Sequence, residues 1–170
     1  QTINVLSSFL VDSALVVVLD GYGEIHTGGI FKIDDKKHDV ISTAKFPHSI
    51  GLFYSAITQY LGFRPNSDEW KVMALASSGN SENYKQQFSN MIKVGKDAFN
   101  GMLELDLSYF DYYNFFTSGY TSDKFISLFG NPRKSNEPLE QKHKDISRAL
   151  QEVVEEKVIE LLTMLNKEFD

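Results

Sequence analysis

Among the acids of this chain, Asp20 has the neighbours best suited to chemistry. It ends the run Ala14-Leu-Val-Val-Val-Leu19 and is followed at once by Gly21-Tyr22-Gly23-Glu24. The β-branched run reads as an extended strand buried on both faces. Gly21 and Gly23 let the backbone turn sharply and approach a ligand closely. An aspartate at the carboxyl end of a buried strand can hold a metal or phosphate-bound cation, with glycine amides facing the phosphate. The same residues also suit a plain hairpin turn, since Asp-Gly is a common hairpin signal. Ser49, after Pro47-His48, stands where a helix begins. Free amides and a hydroxyl there can receive an anion, and ordinary capping uses the same groups. Glu69 and Lys71 lie on the next helical segment. His143 and Asp145 are two residues apart and do not share a helix face.

Other chemistries are excluded by residue type or spacing. His26, His38, His48 and His143 are never in metal-ligand spacing, and no Ser/His/Asp or Cys/His arrangement can be nominated. There is no P-loop and no Gly-x-Gly-x-x-Gly. With no cysteine, a disulfide framework and a thiolate site are ruled out. A net charge of −6 without a basic patch argues against nucleic acid. No apolar run reaches spanning length and no signal peptide precedes the first strand, so a soluble, cytoplasmic protein without a membrane partner is expected. Its 170 residues fit one domain.

The elements that must position Asp20 and Ser49 follow from pattern. Ala14–Leu19, His26–Ile33 and Val40–Phe46 read as three strands joined by short polar turns, an antiparallel meander. Ser49 then caps a helix in which Ile50, Phe53, Ile57, Tyr60 and Leu61 repeat at helical spacing, with Gly62 as its stop. Gly51 in the first turn weakens that helix and implies a close neighbour. A short helix over 68–76 and another over Glu82–Val94 follow, then a half-exposed strand over Met102–Leu107. Tyr109 to Tyr120 is aromatic-dense and reads as a packed cluster under a surface excursion; few basic residues accompany it, against a base-stacking platform. The longest helix, Gln141 to Glu168, carries the stripe Ile146, Leu150, Val153, Val154, Val158, Leu161, Leu162 and Leu165, which is expected to cover the sheet. Val5, Leu6, Phe9, Leu10 and Val11 form a further apolar helical face. The order β-β-β-α predicts an α/β fold, that of a ribonuclease H-like lobe as in the actin, sugar-kinase and heat-shock-chaperone superfamily, with covering helices.

Several segments together resemble the O-carbamoyltransferase family, which includes nodulation protein U and antibiotic carbamoyltransferases. They are the run from Pro47 (Pro-His-Ser-Ile-Gly-Leu-Phe-Tyr-Ser) to Phe63, Asn66-Ser-Asp-Glu-Trp-Lys-Val-Met-Ala-Leu-Ala76, Val18-Leu-Asp-Gly-Tyr-Gly-Glu24, Leu128-Phe-Gly-Asn-Pro-Arg133 and Gln141-Lys-His-Lys-Asp-Ile-Ser-Arg-Ala-Leu-Gln151. The resemblance implies the same superfamily fold. It also implies transfer of a carbamoyl group from carbamoyl phosphate, with ATP, through carbamoyl-adenylate to a hydroxyl of a small-molecule acceptor. By resemblance Asp20 is a ligand of Fe²⁺ or Mn²⁺, the turn Gly21, Gly23 and Glu24 lies beside the nucleotide phosphates, and Ser49 and Lys71 are further nucleotide contacts.

Two departures shape the expectation. Alignment of Ser7-Ser8-Phe9-Leu10 puts Asn4 where the family has the second histidine of a His-x-x-x-His metal motif, and asparagine is a poor substitute for imidazole. The family also continues past the long helix into a second lobe and a C-terminal domain, so the chain is expected to be one lobe of a longer protein, inactive and prone to self-association alone. A degenerate relative acting as a binding or assembly module is the alternative.

Overall fold

A computed structural model of the chain describes residues 13–23, 25–34, 37–96, 102–114 and 116–169. The apolar face expected over 5–11, Asn4 and Glu24 lie outside the described residues. The meander forms as the pattern predicts. Strands β1 (Ser13–Leu19), β2 (His26–Asp34) and β3 (Lys37–Lys45) make one antiparallel sheet in the order β1-β2-β3. Val17 lies opposite Ile30, and Asp34 opposite Lys37. β3 begins before the apolar run at Val40 because ladder pairing with β2 carries the polar Lys37-His38-Asp39 along. Leu15, Val17 and Leu19 turn one face of β1 onto the core. Its burial on both faces is only partial, since every residue from Ala14 to Leu19 remains half-exposed.

Helix α1 (Ile50–Tyr60) is buried nearly all round, with Phe53, Ala56 and Ile57 fully enclosed. Its end is a complete Schellman motif. Gly62 takes φ 76°, its N–H donates to Gln59 O at 2.8 Å, and the Phe63 N–H donates to Thr58 O at 3.1 Å. The glycine is required there because that φ is costly for any residue with a Cβ. Helix α2 (Glu69–Ala76) follows, as expected.

The helix expected over Glu82–Val94 is not formed. A five-residue helix α3 (Lys85–Ser89) stops short, and strand β4 (Ile92–Val94) pairs antiparallel with β5 (Leu103–Leu105). Alternation in β4 buries Ile92 and exposes Lys93, and ladder bonds with a segment ten residues on outweigh local helix propensity. The aromatic segment behaves as a core element at its start. Phe110 is enclosed among Phe53, Phe125 and Tyr112, and a bridge from Phe110 to Thr121 closes the excursion, at whose tip Phe116 is 99% exposed.

After α4 (Asp123–Phe129), whose Phe125 and Phe129 stack at 4.3 Å, comes α5 (Gln141–Phe169). The expectation that α5 covers the sheet is corrected: it lies mainly along α2, α3, β4 and α1. Ile146, Leu150, Val153, Leu161 and Leu165 are buried, but Val154 and Val158 are half-buried and Leu162 is exposed. A straight helix meets its neighbours along a narrower stripe than its apolar residues span.

Candidate functional site

The end of β1 and the start of α1 meet directly. A Cβ on Gly51 would lie 2.5 Å from the Gly21 Cα and 2.7 Å from the Gly21 N, so only glycine lets the first turn of α1 sit against the Asp20–Gly21 backbone. That contact explains the residue that seemed too weak a helix former for its place. Ser49 fastens the seam. Its hydroxyl accepts the Leu52 N–H at 3.0 Å as N-cap and donates to the carbonyls of Asp20 at 3.0 Å and Gly21 at 2.6 Å. The proton of Ser49 is therefore engaged with backbone oxygens, and the residue is buried. In this arrangement it positions the turn.

The Asp20 carboxylate is exposed, and its Oδ1 accepts the Gly21 N–H at 2.6 Å. The Asp20 N–H closes the hairpin on Thr27 O at 2.9 Å. Gly23 donates to His26 O at 3.2 Å, and a Cβ there would come within 2.5 Å of the same oxygen, so tight closure of the turn demands glycine. Gly21 is different. A Cβ on it would meet nothing within 4 Å, so its free side opens outward next to the exposed carboxylate. Tyr22 leans its ring edge-on against Phe46 at 5.6 Å.

Lys71 stands apart on α2, where it pairs with Asp68 at 3.0 Å and lies 5.4 Å from the Trp70 ring. That pairing, and the Arg64 N–H, hold the half-buried Asp68 carboxyl below its ordinary range. Asp20, Gly21 and Ser49 are thus brought together, while the contacts of Lys71 are local to its own helix. Sequence reasoning missed His48. Its Nδ1 accepts the Leu105 N–H at 3.1 Å, a partner 57 positions away for which no local signal exists.

The chemistry available at the turn is that of one exposed carboxylate with an open backbone beside it. Among the described residues no group of three or more His, Cys, Asp or Glu could hold a metal ion. A lone carboxylate can supply one ligand of a transition-metal site but does not complete it, since such a site needs several ligands of suitable softness. No helix among the described residues is long and apolar enough to cross a membrane.

Comparison with known proteins gives a family. The chain is 38% identical over 151 residues to an uncharacterised protein of Synechocystis sp., covering 88% of this chain and 24% of that relative. It is 28% identical to nodulation protein NolO of Bradyrhizobium diazoefficiens, covering 89% of this chain and 25% of the relative. It is also 28% identical to nodulation protein NolNO of Sinorhizobium fredii, covering 89% of this chain and 20% of the relative. The chain therefore spans about a quarter or less of the length of these relatives. The model of the carbamoyltransferase N-terminus matches residues 2–170, and the chain belongs to that family.

Proposed function

We propose that this chain is one lobe, of ribonuclease H-like type, of an O-carbamoyltransferase. With a second lobe and a C-terminal domain it would use ATP and carbamoyl phosphate to form carbamoyl-adenylate. The carbamoyl group would then pass to a hydroxyl of a small acceptor. The observation that carries this reading is the family match across the chain. The seam built by Gly51 and Ser49 supports it, because it holds an exposed carboxylate rigidly beside an open backbone.

In this reading Asp20 supplies one hard oxygen ligand to Fe²⁺ or Mn²⁺, whose remaining ligands come from outside the described residues. The metal would serve as a centre of positive charge. The open side of Gly21 leaves room for nucleotide phosphates, with Gly23 closing the turn. Ser49 keeps the turn in place, and Lys71 offers counter-charge when it leaves Asp68. The substrates are cytoplasmic metabolites, so we place the reaction there. The test is carbamoyl-phosphate-dependent turnover of ATP by the full gene product, compared with Asp20→Ala. A loss of two or more orders of magnitude supports the reading, and unchanged turnover refutes it. A second reading, a non-catalytic binding or assembly module, is favoured by Asn4 at the histidine position and predicts no turnover in either protein.

A further inference from the structure

His48 is held more firmly than a residue before a helix cap needs to be. Its N–H donates to Lys45 O at 2.9 Å, and its carbonyl accepts the Thr27 hydroxyl. The carbonyl of Pro47 accepts the Tyr112 hydroxyl at 2.7 Å. The ring accepts the Leu105 N–H at Nδ1, which places the imidazole proton on Nε2. Among the described residues Nε2 has no partner. The fold therefore fixes an N–H donor at Nε2 and gives it no partner among the described residues.

His48 lines a cavity of about 500 Å³ with Asn90, Lys93, Glu104, Asp106 and Ser108. The polar groups of this cavity divide into spent and unspent. Asp106 is spent: it accepts from the Ser108 hydroxyl at 2.5 Å and N–H at 3.1 Å, and faces the Lys124 ammonium at 3.5 Å. Asn90 has its oxygen engaged by Gln86 at 2.9 Å, which leaves its amide hydrogens free. Lys93 and Glu104 sit opposite each other across β4 and β5 without forming an ion pair. The unspent groups are three donors, on His48, Asn90 and Lys93, and one carboxylate, on Glu104.

We propose that this cavity binds a small oxyanion, a carboxylate or a phosphate. His48 Nε2–H is the fixed donor and Lys93 the counter-charge. Glu104 favours ligands that carry a hydrogen-bond donor beside the anion and disfavours bare polyanions by repulsion. The proposal is independent of the carbamoyl-transfer reading, because it concerns a cavity on the β4–β5 side of His48 and needs no nucleotide or metal. A purely structural His48, stapling β5 to the start of α1, is the competing account, and it gives no reason for a cavity lined with unspent donors.

The two accounts separate on isosteric variants. In His48→Asn the side-chain oxygen can still accept the Leu105 N–H, but nothing replaces the Nε2 donor. Lys93→Met removes the counter-charge at an exposed position where folding is not at stake. The experiment is titration of the uniformly ¹⁵N-labelled 170-residue chain with inorganic phosphate and, separately, with acetate, at neutral pH and constant ionic strength set by chloride. Binding is followed at the His48 imidazole resonances, and in the variants at the backbone amides of Leu105 and Ser108. Saturable shifts are expected, about tenfold weaker in both variants. Saturation by phosphate alone assigns the site to phosphates, and by acetate alone to carboxylates. Shifts that chloride reproduces, that do not saturate, or that persist in both variants overturn the proposal.

Discussion

Ser49 carries three hydrogen bonds with one hydroxyl, so its loss should be felt at both elements it joins. Ser49→Ala removes a helix cap worth about 1 kcal/mol and leaves the Asp20 and Gly21 carbonyls without that donor, at about 1–3 kcal/mol. A drop in the urea midpoint at unchanged slope is the expected result. Gly51→Ala should also destabilise, although alanine is the better helix former by about 1 kcal/mol. Its Cβ would meet backbone atoms of Gly21, which cannot swing aside as a side chain can. Amide shifts concentrated at residues 20–23 would show that the seam has moved.

His143 governs a pH dependence. It is buried at the start of α5, and its Nδ1 accepts the Glu140 N–H at 2.9 Å, as in a capping box. Burial pushes its pKa below the ordinary value; Glu140 opposes this, while Arg133 and Lys142 act in the same direction as burial. The folded state thus holds the proton less tightly than the unfolded chain. The stability this contributes is complete above the unfolded value of about 6.5 and is lost as pH falls from there through the lower folded value. Unfolding free energy should decline as pH falls below about 6.5. In His143→Gln, whose side chain does not titrate, that part of the decline should vanish.

At the scale of elements, α5 shows why an apolar stripe overstates a packing face. Leu150 is fully enclosed, whereas Leu162 is 46% exposed, though both belong to the stripe read from the sequence. Leu150→Ala should cost about 2–5 kcal/mol and Leu162→Ala less than about 1 kcal/mol, measured by chemical denaturation. The start of α5 is set by another glycine. A Cβ on Gly79 would lie 2.0 Å from Lys144 O, and beside it Asn80 N–H donates to the Asp145 carboxylate at 2.8 Å. The loop after α2 therefore lies directly on the α5 backbone, which turns α5 toward the helices and away from the sheet. Asp145 is a fastener in this joint, accepting also from the Gln141 side-chain amide at 2.8 Å.

For the whole molecule the governing fact is that its relatives are about four times longer. The purified chain is expected to show no carbamoyl-phosphate-dependent turnover of ATP. In-line transfer depends on positioning worth roughly 7–11 kcal/mol, and one exposed turn cannot supply it. Turnover above background that Asp20→Ala abolishes would overturn this expectation. Val40, Trp70 and Met73 are at least half exposed, so concentration-dependent self-association is expected, measurable by sedimentation.

The amino-acid sequence by itself determined the meander, the Ser49 cap, the Gly62 stop, the helix that contains Trp70 and the long helix that follows Pro138. In each case the signal is local: β-branched runs, a hydroxyl before an apolar periodicity, or a glycine at a helix end. The segment motifs also carried the family. Tertiary structure alone decided what depends on partners remote in sequence. Residues 92–94 are a strand because 103–105 lie beside them, and helix periodicity could not reveal that pairing. Ser49 positions a turn because two carbonyls nearly thirty residues earlier take its proton. His48 keeps an unused donor because Leu105 occupies its other nitrogen. Local pattern fixes which torsions are favourable, but the use of a hydrogen-bonding group is settled only when folding brings its partner within about 3 Å.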